Sequence, residues 1–212
     1  MMDGQPVSLL AKWFPSEGGK WDKKLGAIKE VSKILHITPK QLRQDFLTPL
    51  RAYLRIVEKY MSSKQWNQIE YNHVPSVAMH RLKKAFERND QARFSEWKLA
   101  LDQGMPDAKV NAEVLFPHNL VAQYMKYNSQ RDSVVEAQWK VLEQKTAELG
   151  NFGRSLVISD VSGSMTCNNS IPLHVSIALG IMISSMTEGP FKDKIITFSA
   201  NPKFHNVRGN SL

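Results

Sequence analysis

The sequence predicts an α-helical N-terminal region over residues 1–150 and a partial, doubly wound α/β unit over residues 151–212. Three observations lead to this fold class. Before residue 150 the apolar residues recur at spacings of three and four, and no stretch alternates with period two. After Gly153 two β-branched runs flank one long apolar segment. Apolar residues spaced by three and four are typical of helices, whereas short β-branched runs are typical of buried strands.

The N-terminal helices are predicted from their apolar faces. The strongest pattern runs from Pro39 to Met61, with Thr38 as the N-cap and Pro39 at the first helical position. Pro49 is expected to split or bend this helix, because proline lacks a backbone N–H. No exact sequence repeat is present, so a helical-repeat array is one alternative for the region. Further helical faces are Leu25, Ile28, Val31 and Leu35; Phe94, Trp97 and Leu101; Leu120, Val121, Tyr124 and Met125; Val135, Trp139, Leu142, Thr146 and Leu149.

The C-terminal unit is predicted to run strand, turn, helix and strand. Residues 156–158 and 194–198 are predicted strands, and Pro172 to Met186, apolar on almost all sides, is a helix packed on the sheet. The two strands should be parallel, with a right-handed crossover between them. Residues 201–212 are predicted to be a loop. Ligands of such folds bind at the carboxyl ends of the strands, which is where Asp160 lies.

Asp160, Ser162 and Ser164 form the candidate metal site. They present one carboxylate and two hydroxyls from a single tight turn, in which Gly163 eases the backbone. All three are hard oxygen ligands, which suit Mg²⁺, Mn²⁺ or Ca²⁺ and not Zn²⁺. The alternative is a capped turn, because aspartate and serine are favoured at helix N-termini without any ligand.

Catalysis at this turn is not expected. An Asp-x-Asp phosphatase motif fails because Ser162 stands where the second aspartate belongs. A Gly-x-Ser-x-Gly nucleophile elbow fails because Ser162 and Thr166 flank Ser164 at the glycine positions. Cys167 has no evident histidine partner that would activate its thiol. The sequence therefore favours a binding protein over an enzyme.

The basic balance of the chain favours an acidic partner such as RNA. Lys and Arg number 28 against 20 Asp and Glu, a net charge of +8. Trp13 and Trp21, both beside lysines, are the candidate base-stacking residues. Solvated helix faces are the alternative explanation for such charge clusters. The candidate phosphate-binding residues are Lys20, Lys23, Lys24, Arg81, Lys83, Lys84, Arg88 and Arg93.

The compartment is predicted to be the cytoplasm. A single cysteine, Cys167, excludes an internal disulfide and is typical of a reducing environment. The first residues lack the charged and apolar regions of a secretory signal. The most apolar segment, residues 171–186, is too short and too polar to span a bilayer, so no membrane association is expected.

The stretch "DVSGSM", after an apolar strand and before a helix, resembles the metal-ion-dependent adhesion site (MIDAS) of von Willebrand factor A (vWA) domains. The resemblance implies a Rossmann-type fold in which Asp160, Ser162 and Ser164 hold the cation. It also implies a threonine and an aspartate from later loops, and no carboxylate follows Asp193. We therefore expect a truncated A domain: a fragment, a split gene product or a domain that another chain completes.

Residues 12–212 further resemble an uncharacterised family of plants and giant viruses, which joins a helical region to such a domain. The stretches that carry this resemblance are "KWFPSEGGKWDKK", "LTPLRAYLRIVEKYM", "WNQIEYNHVPSVAMHR" and "KVNAEVLFPHNLV". More distantly the chain is similar to the Ro autoantigen (TROVE) family, in which a helical ring binds RNA. Two functions are implied: cation-dependent capture of an acidic side chain on a protein partner, or RNA binding by the basic helices.

Overall fold

A computed structural model describes residues 8–127, 130–209 and 211–212 of the chain. The chain divides into two compact units, Met1–Ile69 and Glu70–Leu212. The predicted division near residue 150 stays a prediction. No helix in the described ranges is long and apolar enough to cross a membrane.

The first unit is an array of short helices around a small apolar core. Ala11, Ile28, Leu42 and Leu47 form the buried centre of this core. Arg51 joins the array to the start of the chain, because its guanidinium donates to the carbonyl oxygens of Ala11 and Phe14 at 2.9 and 2.8 Å. The α-helices are α1 (Leu10–Trp13), α2 (Lys20–Leu25), α3 (Ala27–Ile34), α4 (Pro39–Gln41), α5 (Thr48–Tyr53) and α6 (Val57–Ser62).

The predicted start of the long helix is confirmed, whereas the split that was one of two effects expected at Pro49 is not found. Thr38 and Gln41 form a capping box, in which each side chain binds the backbone N–H of the other. Pro49 does not break the helix, because a π-helical segment over Leu42–Leu47 widens the turn before it. The interruption comes instead at Arg55, whose φ of 47° is left-handed.

The described residues of the second unit form α-helices packed with a small mixed sheet, one face of which a further α-helix covers. The shared core contains Leu120, Val135, Trp139, Ala178 and Met182. A separate aromatic cluster of Tyr71, Phe86, Phe94 and Trp97 has ring centroids 4.9–5.6 Å apart. The elements are α7 (Ser76–Asn89), α8 (Gln91–Asp102), α9 (Pro117–Tyr127), α10 (Ser133–Ala147), β1 (Val157–Asp160), α11 (Cys167–Ser185), β2 (Lys194–Phe198) and β3 (Lys203–Asn206).

The sheet has the strand order β1-β2-β3. The predicted parallel pair is confirmed, because β1 and β2 run parallel with Asp160 opposite Phe198. The antiparallel strand β3 corrects the prediction of a loop over residues 201–212. All four of its residues are exposed, so it lacks the apolar alternation by which strands are recognised. Ile158, Phe198 and Phe204 are exposed on the face of the sheet that α11 does not cover.

Gly180 sets the distance between α11 and the sheet. A Cβ atom at this position would lie 2.2 Å from the Ser159 Oγ and 3.5 Å from the Ile195 Cδ1. The Ser159 hydroxyl is itself buried and donates to the Ser176 carbonyl oxygen at 3.3 Å. Only glycine lets the helix approach β1 this closely.

Lys83 joins α7 to α9 and α10. Its Nζ donates to the Gln123 Oε1 and the Asp132 Oδ2, both at 2.6 Å. Asp132 is also the N-cap of α10, where its Oδ1 accepts from the N–H groups of Val134 and Val135. Burial raises the pKa of Asp132, but the bonds and charge of Lys83 and the two N–H groups outweigh burial and hold the pKa below its ordinary value.

Gly180→Ala should destabilise the second unit by roughly 1–3 kcal/mol, because the new methyl overlaps the Ser159 hydroxyl. Ser159→Ala removes that hydroxyl, so the double variant should lose less stability than the two single variants together. Urea denaturation of all four proteins measures the coupling. Strictly additive losses would show that this contact does not set the helix position.

Asp132→Asn should lower the free energy of unfolding at neutral pH by roughly 1–3 kcal/mol, because the cap is kept while the charge facing Lys83 is lost. A carboxyl with a lowered folded pKa stabilises above its unfolded pKa, and this stability is lost as the pH falls through the folded pKa. The difference between wild type and variant should therefore vanish in acid. Urea denaturation from pH 7 to pH 2 tests this, and a constant difference would contradict it.

Candidate metal centre

The candidate centre lies where β1 ends. Asp160 is the last residue of the strand, and a 3₁₀ turn over Gly163–Thr166 follows before α11. The Val161 N–H donates to the Phe198 carbonyl oxygen at 2.9 Å and holds the turn to the end of β2. The centre therefore sits at the carboxyl edge of the two parallel strands, as the sequence predicts.

The three predicted ligand residues are brought together. The Asp160 Oδ1 accepts from the Ser162 N–H at 2.9 Å, which folds the carboxylate over the turn. The Ser162 and Ser164 hydroxyls are hydrogen-bonded to each other, with their Oγ atoms 3.0 Å apart. Hydrogen bonding from the Ser162 hydroxyl, which is the larger cause, and from the Ser162 N–H lowers the pKa of Asp160, so the carboxylate is ionised at neutral pH.

The hydroxyl spacing fits a small divalent cation. Adjacent ligands of an octahedral Mg²⁺, each about 2.1 Å from the ion, lie about 3.0 Å apart. The two serine oxygens already have this separation. The ionised carboxylate supplies the negative charge that a hard cation requires.

Helix capping does not account for the serines. Ser162 is the N-cap of the 3₁₀ turn, yet its side chain makes no capping bond. Thr166, the N-cap of α11, makes none either, and its hydroxyl donates back to the Gly163 carbonyl oxygen at 2.7 Å. The hydroxyls therefore make no capping bond, whereas the Asp160 carboxylate does bond the backbone N–H of Ser162, so the alternative of a capped turn stays open for Asp160.

Other metal-binding clusters are not found in the described part of the chain. No three His, Cys, Asp or Glu side chains there are grouped so that they could hold an ion. The candidate centre thus consists of one carboxylate and two hydroxyls. The neighbouring residues Asn168, Asn169 and Ser170 have φ values of 49°, 57° and 59°, so the chain makes a left-handed turn directly after the centre.

The predicted phosphate-binding residues are divided between the two units. Lys20, Lys23 and Lys24 lie exposed on α2 in the first unit. In the second unit, Lys83 is held in the contact with Asp132, and the Arg93 Nη1 bonds the Asp90 Oδ2 at 2.8 Å.

The remaining three basic residues share one face of α7. Arg81, Lys84 and Arg88 follow at spacings of three and four and are exposed. The first two also line a cavity with His80, Asn119 and Gln123. Asn119 and Gln123 were not predicted to lie beside Arg81, because amides 38 or more positions away carry no local signal of a shared cavity.

The two tryptophans beside the lysines are exposed. The side chains of Trp13 and Trp21 are 74% and 58% exposed. The Lys12 Nζ lies 5.3 Å from the Trp13 ring centroid, and the Lys20 and Lys24 Nζ atoms lie 5.9 and 5.6 Å from that of Trp21. Each ring thus combines an open face with a nearby cation.

These features define a helical chain that carries a small mixed sheet with an oxygen-bearing turn at its edge. Residues 26–152 match the family described as "Domain of unknown function (DUF2828)", and residues 154–212 match "Domain of unknown function (DUF7788)". The first match covers more than half of the chain, so the protein belongs to the DUF2828 family.

A curated relative is "Uncharacterized protein L728" of Acanthamoeba polyphaga mimivirus. It is 35% identical over 218 residues, an alignment that covers 97% of this chain and 37% of the relative. The chain therefore spans little more than a third of that protein's length. No solved structure matches the chain. The expected kinship with an uncharacterised family that has a giant-virus member is confirmed.

Proposed function

We propose that this protein is a non-enzymatic binding protein whose vWA-like site uses a divalent cation to capture an acidic side chain of a protein partner. Asp160, Ser162 and Ser164 would hold the cation, with Mg²⁺ as the first candidate and Mn²⁺ or Ca²⁺ as alternatives. When bound, the cation would supply positive charge and open coordination positions for a carboxylate oxygen.

The observation that carries the proposal is the convergence of the three oxygen-bearing side chains. The hydroxyls of Ser162 and Ser164 are 3.0 Å apart beside an aspartate whose pKa is lowered. Ser164 is exposed, so a partner can reach the turn. Preformed ligand spacing reduces the ordering that binding would require.

The surrounding elements support a vWA-like, Rossmann-type unit. A parallel β1-α11-β2 unit places the turn at the carboxyl edge of the sheet, where such folds bind ligands. The vWA resemblance also implies a threonine and an aspartate as cation ligands, and neither is one of the three residues of the candidate centre. Water, other loops of the domain or another chain that completes it would fill those positions. Cys167 is a free thiol, which suits the cytoplasm as the compartment.

Titration of the protein with MgCl₂ or MnCl₂ by isothermal calorimetry should give saturable binding. Asp160→Ala and Ser164→Ala should each weaken it by at least about tenfold, since even indirect partners of metal ligands contribute that much. Ser155→Ala is the matched control, because this exposed serine lies before β1, at the opposite end of the strand. Equal binding by the Asp160 and Ser155 variants, or no heat at millimolar metal, would refute the metal site.

RNA binding is the second candidate function, and the exposed tryptophans favour it. A base can stack on an open indole while lysines neutralise phosphates, an arrangement used for single strands. Trp13 and Trp21 both have open rings with lysine Nζ atoms within 6 Å of their centroids. In this function the basic residues of α2 would contact the phosphates.

Trp21→Ala should weaken single-stranded RNA binding by about 1–3 kcal/mol through the lost stacking, and wild-type affinity should fall with salt. Trp139→Phe is the matched control, because that indole is buried in the core. Filter binding over a salt series measures both effects. Asp160→Ala should leave RNA binding unchanged. An RNA affinity that changes neither with salt concentration nor on substitution of Trp21 would rule out this function.

A further inference from the structure

We propose that a groove along α10 binds a medium-chain fatty acid, with the alkyl chain on its apolar floor and the carboxylate beside two lysines. The groove is a cavity of about 340 Å³ in the second unit, between α10, the end of α8 and the segment over residues 108–110. It shares no residue with the candidate metal centre or with Trp13 and Trp21. The inference therefore stands whether or not the proposed function is correct.

The floor of the groove is long, narrow and apolar. One face of α10 lines it from Ser133 to Gln144, a length of about 16 Å at the helical rise per residue. A volume of about 340 Å³ spread over that length suits an extended alkyl chain better than a bulky ring system. The apolar lining residues, all partly exposed and so within reach of a ligand, are Leu101, Ala108, Val110, Ala137 and Val141.

The wall opposite α10 is held in place by hydrogen bonds of the protein itself. The Asn72 Oδ1 accepts from the backbone N–H of Lys109 at 3.0 Å. The Asn111 Nδ2 donates to the carbonyl oxygens of Asn72 and Val74 at 3.2 and 3.0 Å. On the side of α10, the Gln138 Nε2 donates to the Asn111 carbonyl oxygen at 3.1 Å. The groove is therefore preformed, so a ligand does not have to order this segment.

The two carboxylates that line the groove already have partners within the protein. The Asp102 Oδ1 lies 2.9 Å from the Arg131 Nη1 in an ion pair. Glu136 is only 4% exposed, and its two oxygens accept from the Tyr124 hydroxyl and the Leu212 N–H. Neither carboxylate thus requires a cationic ligand.

Lys109 and Lys140 supply the positive charge for a ligand. Both line the groove and are exposed. Neither ammonium group forms a hydrogen bond or a salt bridge with another residue of the described ranges. Burial raises the pKa of Glu143, and the charge of Lys140 opposes this only weakly, as expected for a carboxylate beyond salt-bridge distance. Both lysines therefore remain available to a carboxylate.

The charge balance of the lining selects a monoanion. Arg131 offsets Asp102, which leaves two positive charges, on Lys109 and Lys140, against one negative charge on Glu136. One net positive charge matches a carboxylate, whereas a phosphate dianion would exceed it. A small polar anion would leave the apolar floor unused, so the lining fits a carboxylate that carries an alkyl chain.

The test is calorimetric titration of the full chain with sodium hexanoate, octanoate and octylammonium chloride. EDTA is present so that no cation at Asp160 can bind the carboxylate, which separates the result from that of the proposed metal centre. We expect saturable binding of octanoate, about tenfold or more tighter than that of hexanoate, because two further methylenes are buried. Octylammonium has the same chain and the opposite charge, so it should bind about tenfold or more weakly than octanoate.

Two lysine variants test the charged end of the groove. Lys109→Gln and Lys140→Gln should each weaken octanoate binding by about threefold to fivefold, the range for a partly exposed ion pair. Lys145→Gln is the matched control, because it removes the same charge from α10 outside the lining. It should change the affinity by less than about twofold.

One further variant tests the floor. Ala137→Leu places a larger side chain in the middle of the groove and should weaken octanoate binding by at least about tenfold. Ala147→Leu is its matched control, because this exposed alanine ends α10 outside the lining. Its octanoate affinity should equal that of the wild type.

The proposal is wrong if octanoate gives no heat of binding at millimolar concentration. Equal affinities for octanoate and octylammonium would contradict it as well, because the lysines would then play no part. So would equal losses in the Lys109, Lys140 and Lys145 variants, which would indicate only general attraction to a basic surface. Unchanged octanoate binding by Ala137→Leu, in a protein whose circular dichroism matches the wild type, would place the ligand elsewhere.

Discussion

The close contact between Gly180 and Ser159 is the constraint on which the C-terminal half depends. It brings α11 against β1, so the helix covers one face of the sheet while Ala178 and Met182 reach the core shared with α9 and α10. One helix thereby holds the sheet to the helical elements of the second unit. The turn that carries Asp160 lies directly between β1 and α11, and its position follows from their packing.

Polar contacts position the helices of the same unit. Lys83 lies between an amide of α9 and the N-cap carboxylate of α10, and the low pKa of Asp132 reflects that arrangement. The contact is partly buried, so each charge needs the other. Lys83 also orients Gln123, because the amide oxygen of that residue accepts from the ammonium group.

Local patterns allowed the N-cap at Thr38, the helices and the oxygen-bearing turn to be predicted. Thr38 and Gln41 are three residues apart, and Asp160 and Ser162 are two apart, so their hydrogen bonds depend on adjacent chain alone. The break at Arg55 and the strand β3 escaped prediction. Arginine at position 55 is not a residue type that indicates a left-handed turn, and β3 is recognisable only through its pairing with β2.

The sequence by itself determined which oxygen-bearing side chains lie at the edge of the sheet, because one carboxylate and two hydroxyls within five residues must share a turn. It also determined that basic residues line α7. Only the tertiary structure decided which of those charges are used in structure and which face a cavity. Lys83 and Arg81 are two positions apart, yet Lys83 is bonded to residues 40 and 49 positions away and Arg81 is exposed. Contacts over such distances arise from helix packing, which local sequence does not encode.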